Sequence, residues 1–257
     1  MAGVLLHLAM GDPEKMDPEN PDYTASFKKA YTLGLLLPDI AKRGFIGDEE
    51  EFGRLFEGCA GGDILTYEEY LAFGKNNHFS PNKQNPAQQD TRNPNLTDFL
   101  NAEFVDIHKA VWQGVLCHLM GDKVFYHRPY CVDFERVRAD YVREAGAIVA
   151  WDEDKWGSSE TSKVYYNDYN VINQRIEDQY GVLDRVRGVL SPALLSEILI
   201  GFKVRFPDDN AEPVYMDLEN IRRCVAHLHS ANREIAGLND EELAGKLREF
   251  GEELGSD

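Results

Sequence analysis

The stretch VDIHKAVWQGVLCHLMGDKVFYH, residues 105–127, decides how the rest of the chain is read. Val105, Ala110, Val111, Trp112, Val115, Leu116, Leu119 and Met120 recur at the spacing of a buried helical face, which predicts a core helix over 105–127. His118 and Asp122 lie one helical turn apart on a stripe that also carries Val111, Gly114 and Val115, so both project from the same face and can meet one ion. That face is apolar. A carboxylate directed into the interior is costly unless it is paired, hydrogen-bonded or coordinated to a metal. Taken alone, the pair fits a hydrogen-bonded core couple as well as a pair of ligands. Gly114 weakens a helix by about 1 kcal/mol relative to Ala, and close approach of another segment to this face would be a reason to keep it.

Outward from this helix, a helical pattern runs from about Ala25 to Leu37, where Pro38 is expected to end it and leave Asp39 just past a helix terminus. Short acidic helices are expected over 48–57 and 67–74, with Thr66 capping the second. The run NNHFSPNKQNPAQQDTRNPN, residues 76–95, is too polar and too broken by proline for regular structure. A connection of that length inside a domain is either functional or disordered, and a metal-bound His78 would tie it down. Amphipathic patterns follow at about 132–150, 162–179, 192–203 and 216–236, then a short acidic helix over 240–253. Strand patterns are scarce apart from a short extended piece around 202–206, and no linker divides the chain. The expectation is a single all-α domain spanning 1–257.

Composition narrows the partners. With 43% hydrophobic residues there is enough apolar material for a sizeable core, so acidity does not mean disorder. A formal net charge of -18 repels phosphate backbones and anionic membrane surfaces, which argues against stable nucleic-acid binding but not against a small anionic ester in a locally positive pocket. Cys59, Cys117, Cys131 and Cys224 stand far apart without a C-x-x-C pair, arguing against a disulfide framework and a thiolate zinc knuckle and for a reducing, cytoplasmic compartment. No apolar run approaches the roughly 20 residues that span a bilayer, and the short run Val4–Met10 is interrupted by His7.

Other potential ligands also stand in unusual places: His7 within its apolar run, Asp39 directly after Leu35-Leu36-Leu37-Pro38, and His78 before Phe79. Imidazoles and carboxylates are the ligands zinc takes in hydrolytic sites. HLAMGD at residues 7–12, GLLLPDI at 34–40, the His78-Phe79 pair and above all GVLCHLMGDKVFYH at 114–127 resemble the zinc-dependent phospholipase C superfamily, which includes zinc-dependent single-strand nucleases. The resemblance covers residues 1 to about 130, with G-x-x-x-H-x-x-x-D as its most specific element. YNDYNVINQRIEDQYG, residues 166–181, is similar to bacterial members.

The resemblance implies that Asp39, His78, His118 and Asp122 bind one zinc ion, and that Asp122 bridges to a second held also by His7. It implies Asp39 as general base, hydrolysis of phosphoesters or phosphodiesters, and a small phosphoester or phospholipid head group as substrate. The chain departs from secreted members in having no tryptophan before Trp112; theirs begins the chain and binds zinc. They also carry a histidine six residues after the helix aspartate, then a His and a Glu completing a third site; here His127 follows Asp122 by five, and the next histidine is His227. The expectation is therefore one or two zinc ions. His108, His227 and His229 read as structural, and Cys117 as a small core residue. The alternative is a non-catalytic helical binding protein with a structural or vestigial metal site. HD phosphohydrolases and di-iron bundles fit less well, since the chain has no His-Asp dipeptide and no Glu-x-x-His.

Overall fold

In the computed structural model of the chain, the described residues are 3–16, 24–43, 46–59, 66–68, 70, 109–127, 131–133, 136, 137, 139, 140, 159–206 and 212–253. Their regular elements are all helical: α1 (Val4–Met10), a 3-10 turn (Pro13–Lys15), α2 (Ala25–Arg43), α3 (Glu49–Leu55), α4 (Lys109–His127), α5 (Ser159–Tyr180), α6 (Val182–Arg187), α7 (Pro192–Gly201), α8 (Leu218–Ala236) and α9 (Asp240–Glu253). Strands are absent among the described residues, where an isolated antiparallel bridge joins Val132 to Met216. The fold class is all-α.

Short polar side chains set the helix starts by accepting backbone N–H groups that have no partner within the helix. Asp48 accepts from Glu51 N at 2.8 Å, Ser191 from Leu194 N at 3.3 Å and Asp217 from Asn220 N at 2.9 Å. Before α9 the arrangement is reciprocal: Asn239 accepts from Glu242 N at 2.9 Å, and Glu242 accepts from Asn239 N at 2.8 Å.

The centre of the core is the crossing of α2 and α4. A Cβ added at Gly34 would lie 2.0 Å from the Val111 carbonyl oxygen, and one at Gly114 would lie 2.2 Å from that of Tyr31. The two helices therefore meet backbone to backbone, as expected for Gly114. Around the crossing Tyr31, Leu33, Leu35, Leu36, Leu37, Trp112, Val115 and Leu119 are all buried.

Pro38 does not end α2, which continues to Arg43, so Asp39 lies within the helix rather than past its end. Proline in a helix interior costs about 3 kcal/mol. Burial of Leu36, Leu37 and Ile40 offsets it, since a fully buried aliphatic side chain contributes about 1.5–3 kcal/mol. The extended piece expected at 202–206 is also absent: Phe202 and Lys203 form a turn after α7, with Lys203 at φ 53. The α6 turn of helix, begun at Gly181 with φ 56, was not foreseen. The expected helix ends at 74 and 150, and the whole of 75–108, lie outside the described residues.

Gly114→Ala is expected to destabilise the protein by about 1–3 kcal/mol, because overpacking against a backbone oxygen outweighs the gain in helix propensity. Gly53→Ala, on exposed helix surface with nothing within 4 Å of the added Cβ, should stabilise by up to about 1 kcal/mol. Urea unfolding of the two variants reads the opposite signs directly.

Candidate metal centre

Helix α1 has seven residues, too few to persist alone, and packing fixes it on every side. Its last carbonyls are held by side chains from α8: Asn232 Nδ2 donates to Met10 O at 2.9 Å, and His229 Nε2 donates to Ala9 O at 2.7 Å. Gly121 on α4 provides the space against α1, since an added Cβ would come within 3.0 Å of Met10 Sδ and 3.3 Å of His7 Nδ1. His7 is thereby seated beside Asp122. Neither ring nitrogen of His7 makes a hydrogen bond, although the ring is fully buried.

His118 is oriented by α2. Its Nδ1 lies 2.8 Å from the Leu35 carbonyl, which can only accept, so Nδ1 carries the proton and Nε2 faces Asp122. The carbonyl lies in the turn that precedes Pro38, next to the Gly34 carbonyl to which Pro38 has no N–H to return.

His7 Nε2 is 3.3 Å from Asp122 Oδ1, and His118 Nε2 is 3.6 Å from Asp122 Oδ2. The two imidazoles stack with centroids 3.7 Å apart and planes inclined by 13°. One donor atom from each of the three residues falls within 4.8 Å of the others, a group able to hold a metal ion. Zinc bonds of about 2.0–2.1 Å in a tetrahedron place neighbouring donors about 3.3–3.4 Å apart, a spacing that each imidazole approaches with its own oxygen of Asp122. The nearly parallel rings add a constraint, because in-plane lone pairs on stacked rings run side by side instead of converging. Each carboxylate oxygen accordingly faces its own imidazole.

Burial first, and then the adjacent His118 ring, push the His7 pKa below the usual 6.5 against the pull of Asp122 and Asp39. For His118 burial acts in the same direction, yet Asp122, Asp39 and the Leu35 carbonyl together raise its pKa. Burial would also raise the Asp122 pKa, but His118 and His7 overcome it and hold the carboxyl well below the usual range. In the absence of metal the surroundings therefore favour a charged Asp122 and protonation of His118 over His7.

Of the five residues read as ligands, His7, His118 and Asp122 are brought together. Asp39 is buried on α2, acts electrostatically on both rings, and is not one of the three within mutual ligand distance. His78 lies outside the described residues, as does His108. His229 has the structural role expected of it, and His227 is exposed. Asn232 and Gly121 were missed. The available signal for Asn232 was an amide on the apolar stripe of Ile221, Val225, Leu228 and Ile235; for Gly121, a second small residue on the face that meets α1.

The pKa directions give opposite pH responses with and without zinc. In metal-free protein the His118 contribution is complete below pH 6.5 and is lost as pH rises through its raised value; that of His7 is complete above 6.5 and is lost as pH falls through its lowered value. As pH rises above 6.5 and His118 loses its proton, the urea midpoint of chelated protein should fall. With zinc it should rise over the same range, because metal ligands must lose their protons. Identical pH curves in chelator and in zinc would remove the metal assignment. Comparisons with protein-family models, curated proteins and solved structures give no match, so the centre stands on its own geometry.

Proposed function

We propose that the protein is a zinc-dependent phosphoester or phosphodiester hydrolase similar to the phospholipase C superfamily, working with one or two zinc ions among His7, Asp39, His78, His118 and Asp122. The observation that carries this reading is the sharing of Asp122 between His7 and His118, one carboxylate oxygen toward each stacked ring. A carboxylate placed in this way suits a bridge between neighbouring ions, which in two-metal hydrolytic sites lie about 3.5–4 Å apart. Bound zinc would lower the pKa of a coordinated water to near 7 and polarise a phosphoryl oxygen.

The chain's own groups supply the rest. Asp39, close enough to influence both imidazoles, would take the proton of the attacking water. The Leu35 carbonyl holds His118 in the tautomer that turns Nε2 toward Asp122. With a formal net charge of -18 the protein suits a small phosphoester or phospholipid head group better than a polyanion. None of its described helices is long and apolar enough to cross a membrane.

One observation favours a second reading, a structural metal site in a non-catalytic binding protein. His7, His118, Asp122 and Asp39 are all at most 1% exposed, whereas catalytic zinc sites keep a position open to water and substrate.

Elemental analysis together with release of nitrophenol from phosphate mono- and diesters and from a phosphocholine ester separates the readings. Asp39→Asn should retain most of the metal and lose about 10²- to 10⁴-fold in turnover. Asp122→Asn should lose metal and activity together, since an amide does not neutralise the ions. Wild-type protein with zinc but no turnover would leave the structural site. Equal turnover of wild type and Asp39→Asn would remove Asp39 from the chemistry.

A further inference from the structure

Away from the metal group, Cys131 Sγ and Cys224 Sγ lie 3.2 Å apart, both buried and neither in a disulfide. The first follows α4, and the second is on the buried face of α8. Their meeting is enforced by the backbone on both sides. Asp217 N donates to Cys131 O at 3.1 Å, Asp133 N donates to Tyr215 O at 2.7 Å, and Val132 bridges Met216 between them. The buried Asp168 carboxylate on α5 adds a brace, accepting from Tyr215 N at 2.5 Å and from Met216 N at 3.0 Å. These contacts hold the segment carrying Cys131 against the start of the helix carrying Cys224. A disulfide has its sulfurs about 2.05 Å apart, so side-chain rotation has to close roughly 1 Å.

We infer that Cys131 and Cys224 are a site of intrachain disulfide formation, oxidised by a small-molecule disulfide of the glutathione class. The thiolate of one cysteine attacks a sulfur of the oxidant, releasing one small thiol and leaving a mixed disulfide. The second cysteine then attacks its protein sulfur and releases the other small thiol. Two S–H bonds are lost, one S–S bond forms, and two electrons with two protons reduce the oxidant to two thiols. Contact with Cys224 and burial push the Cys131 pKa up, so exchange passes through transient opening of the 131–133 segment. Once formed, the bond is enclosed by the same packing and closes a span of 93 positions.

The test uses full-length wild-type protein equilibrated with excess oxidised glutathione in urea just below the unfolding transition, then alkylated and digested. The expected result is loss of two of the four thiols and a linked peptide pair containing Cys131 and Cys224. The oxidised protein should melt roughly 5–10 °C higher than the reduced one, returning to the lower value with reductant. Cys224→Ser should abolish both the link and the shift; if that variant does not fold, the wild-type peptide map alone decides. Four remaining thiols, glutathione adducts without a link, or a link joining any other pair overturns the inference.

Discussion

The direct backbone contact between α2 and α4 is the constraint on which the rest of the arrangement hangs. Gly34 against the Val111 carbonyl and Gly114 against the Tyr31 carbonyl bring the helix axes closer than side chains would allow. At that separation the Leu35 carbonyl comes within 2.8 Å of His118 Nδ1. A wider crossing would leave His118 without its acceptor and Asp122 without a correctly turned imidazole. The glycines thus place a side chain one turn further along the helix, at a cost in helix propensity of about 1 kcal/mol each.

Local rules made much of this legible. The spacing of apolar residues over 105–127 predicted a buried helix, which the described residues bear out from Lys109 to His127, the four-residue interval put His118 and Asp122 on one face, and Gly114 indicated a close neighbour. What local rules could not give were outcomes decided by tertiary packing. Pro38 carries a strong stop signal, but burial of Leu36 and Leu37 before it and Ile40 after it makes continuation favourable. His7 sits in a run of seven residues that reads as merely apolar, and only its neighbours Gly121, His229 and Asn232 explain its position. The Cys131–Cys224 contact spans separate helices and has no signature in residue spacing. His78 and the phosphoester chemistry remain expectations of the resemblance.

Electrostatics at the centre is set by a buried carboxylate lying between two imidazoles, a group that could hold either a proton or a metal ion. Asp122 carries a charge into surroundings where an isolated carboxylate would be neutral, and its two imidazole neighbours make this tolerable. Without metal, raising the His118 pKa supplies the compensating positive charge. A divalent ion bound there would do so more strongly and would displace that proton. The complete burial of the group ensures that either occupant is held in low dielectric, where exchange requires protein motion rather than simple diffusion.

The clamp on α1 also bears on the order in which the chain assembles. Residues 9 and 229 are 220 positions apart and residues 10 and 232 are 222 apart, yet their bonds close the end of the helix that carries His7. Such contacts carry a larger loop-closure cost than those within a helix, which favours their forming after the local helices. On the ribosome, the first helix is synthesised long before the residues that secure it. His118 and Asp122 can be paired while His7 is still unplaced, so completion of the centre coincides with docking of α8 and reports that the two ends of the described chain have met.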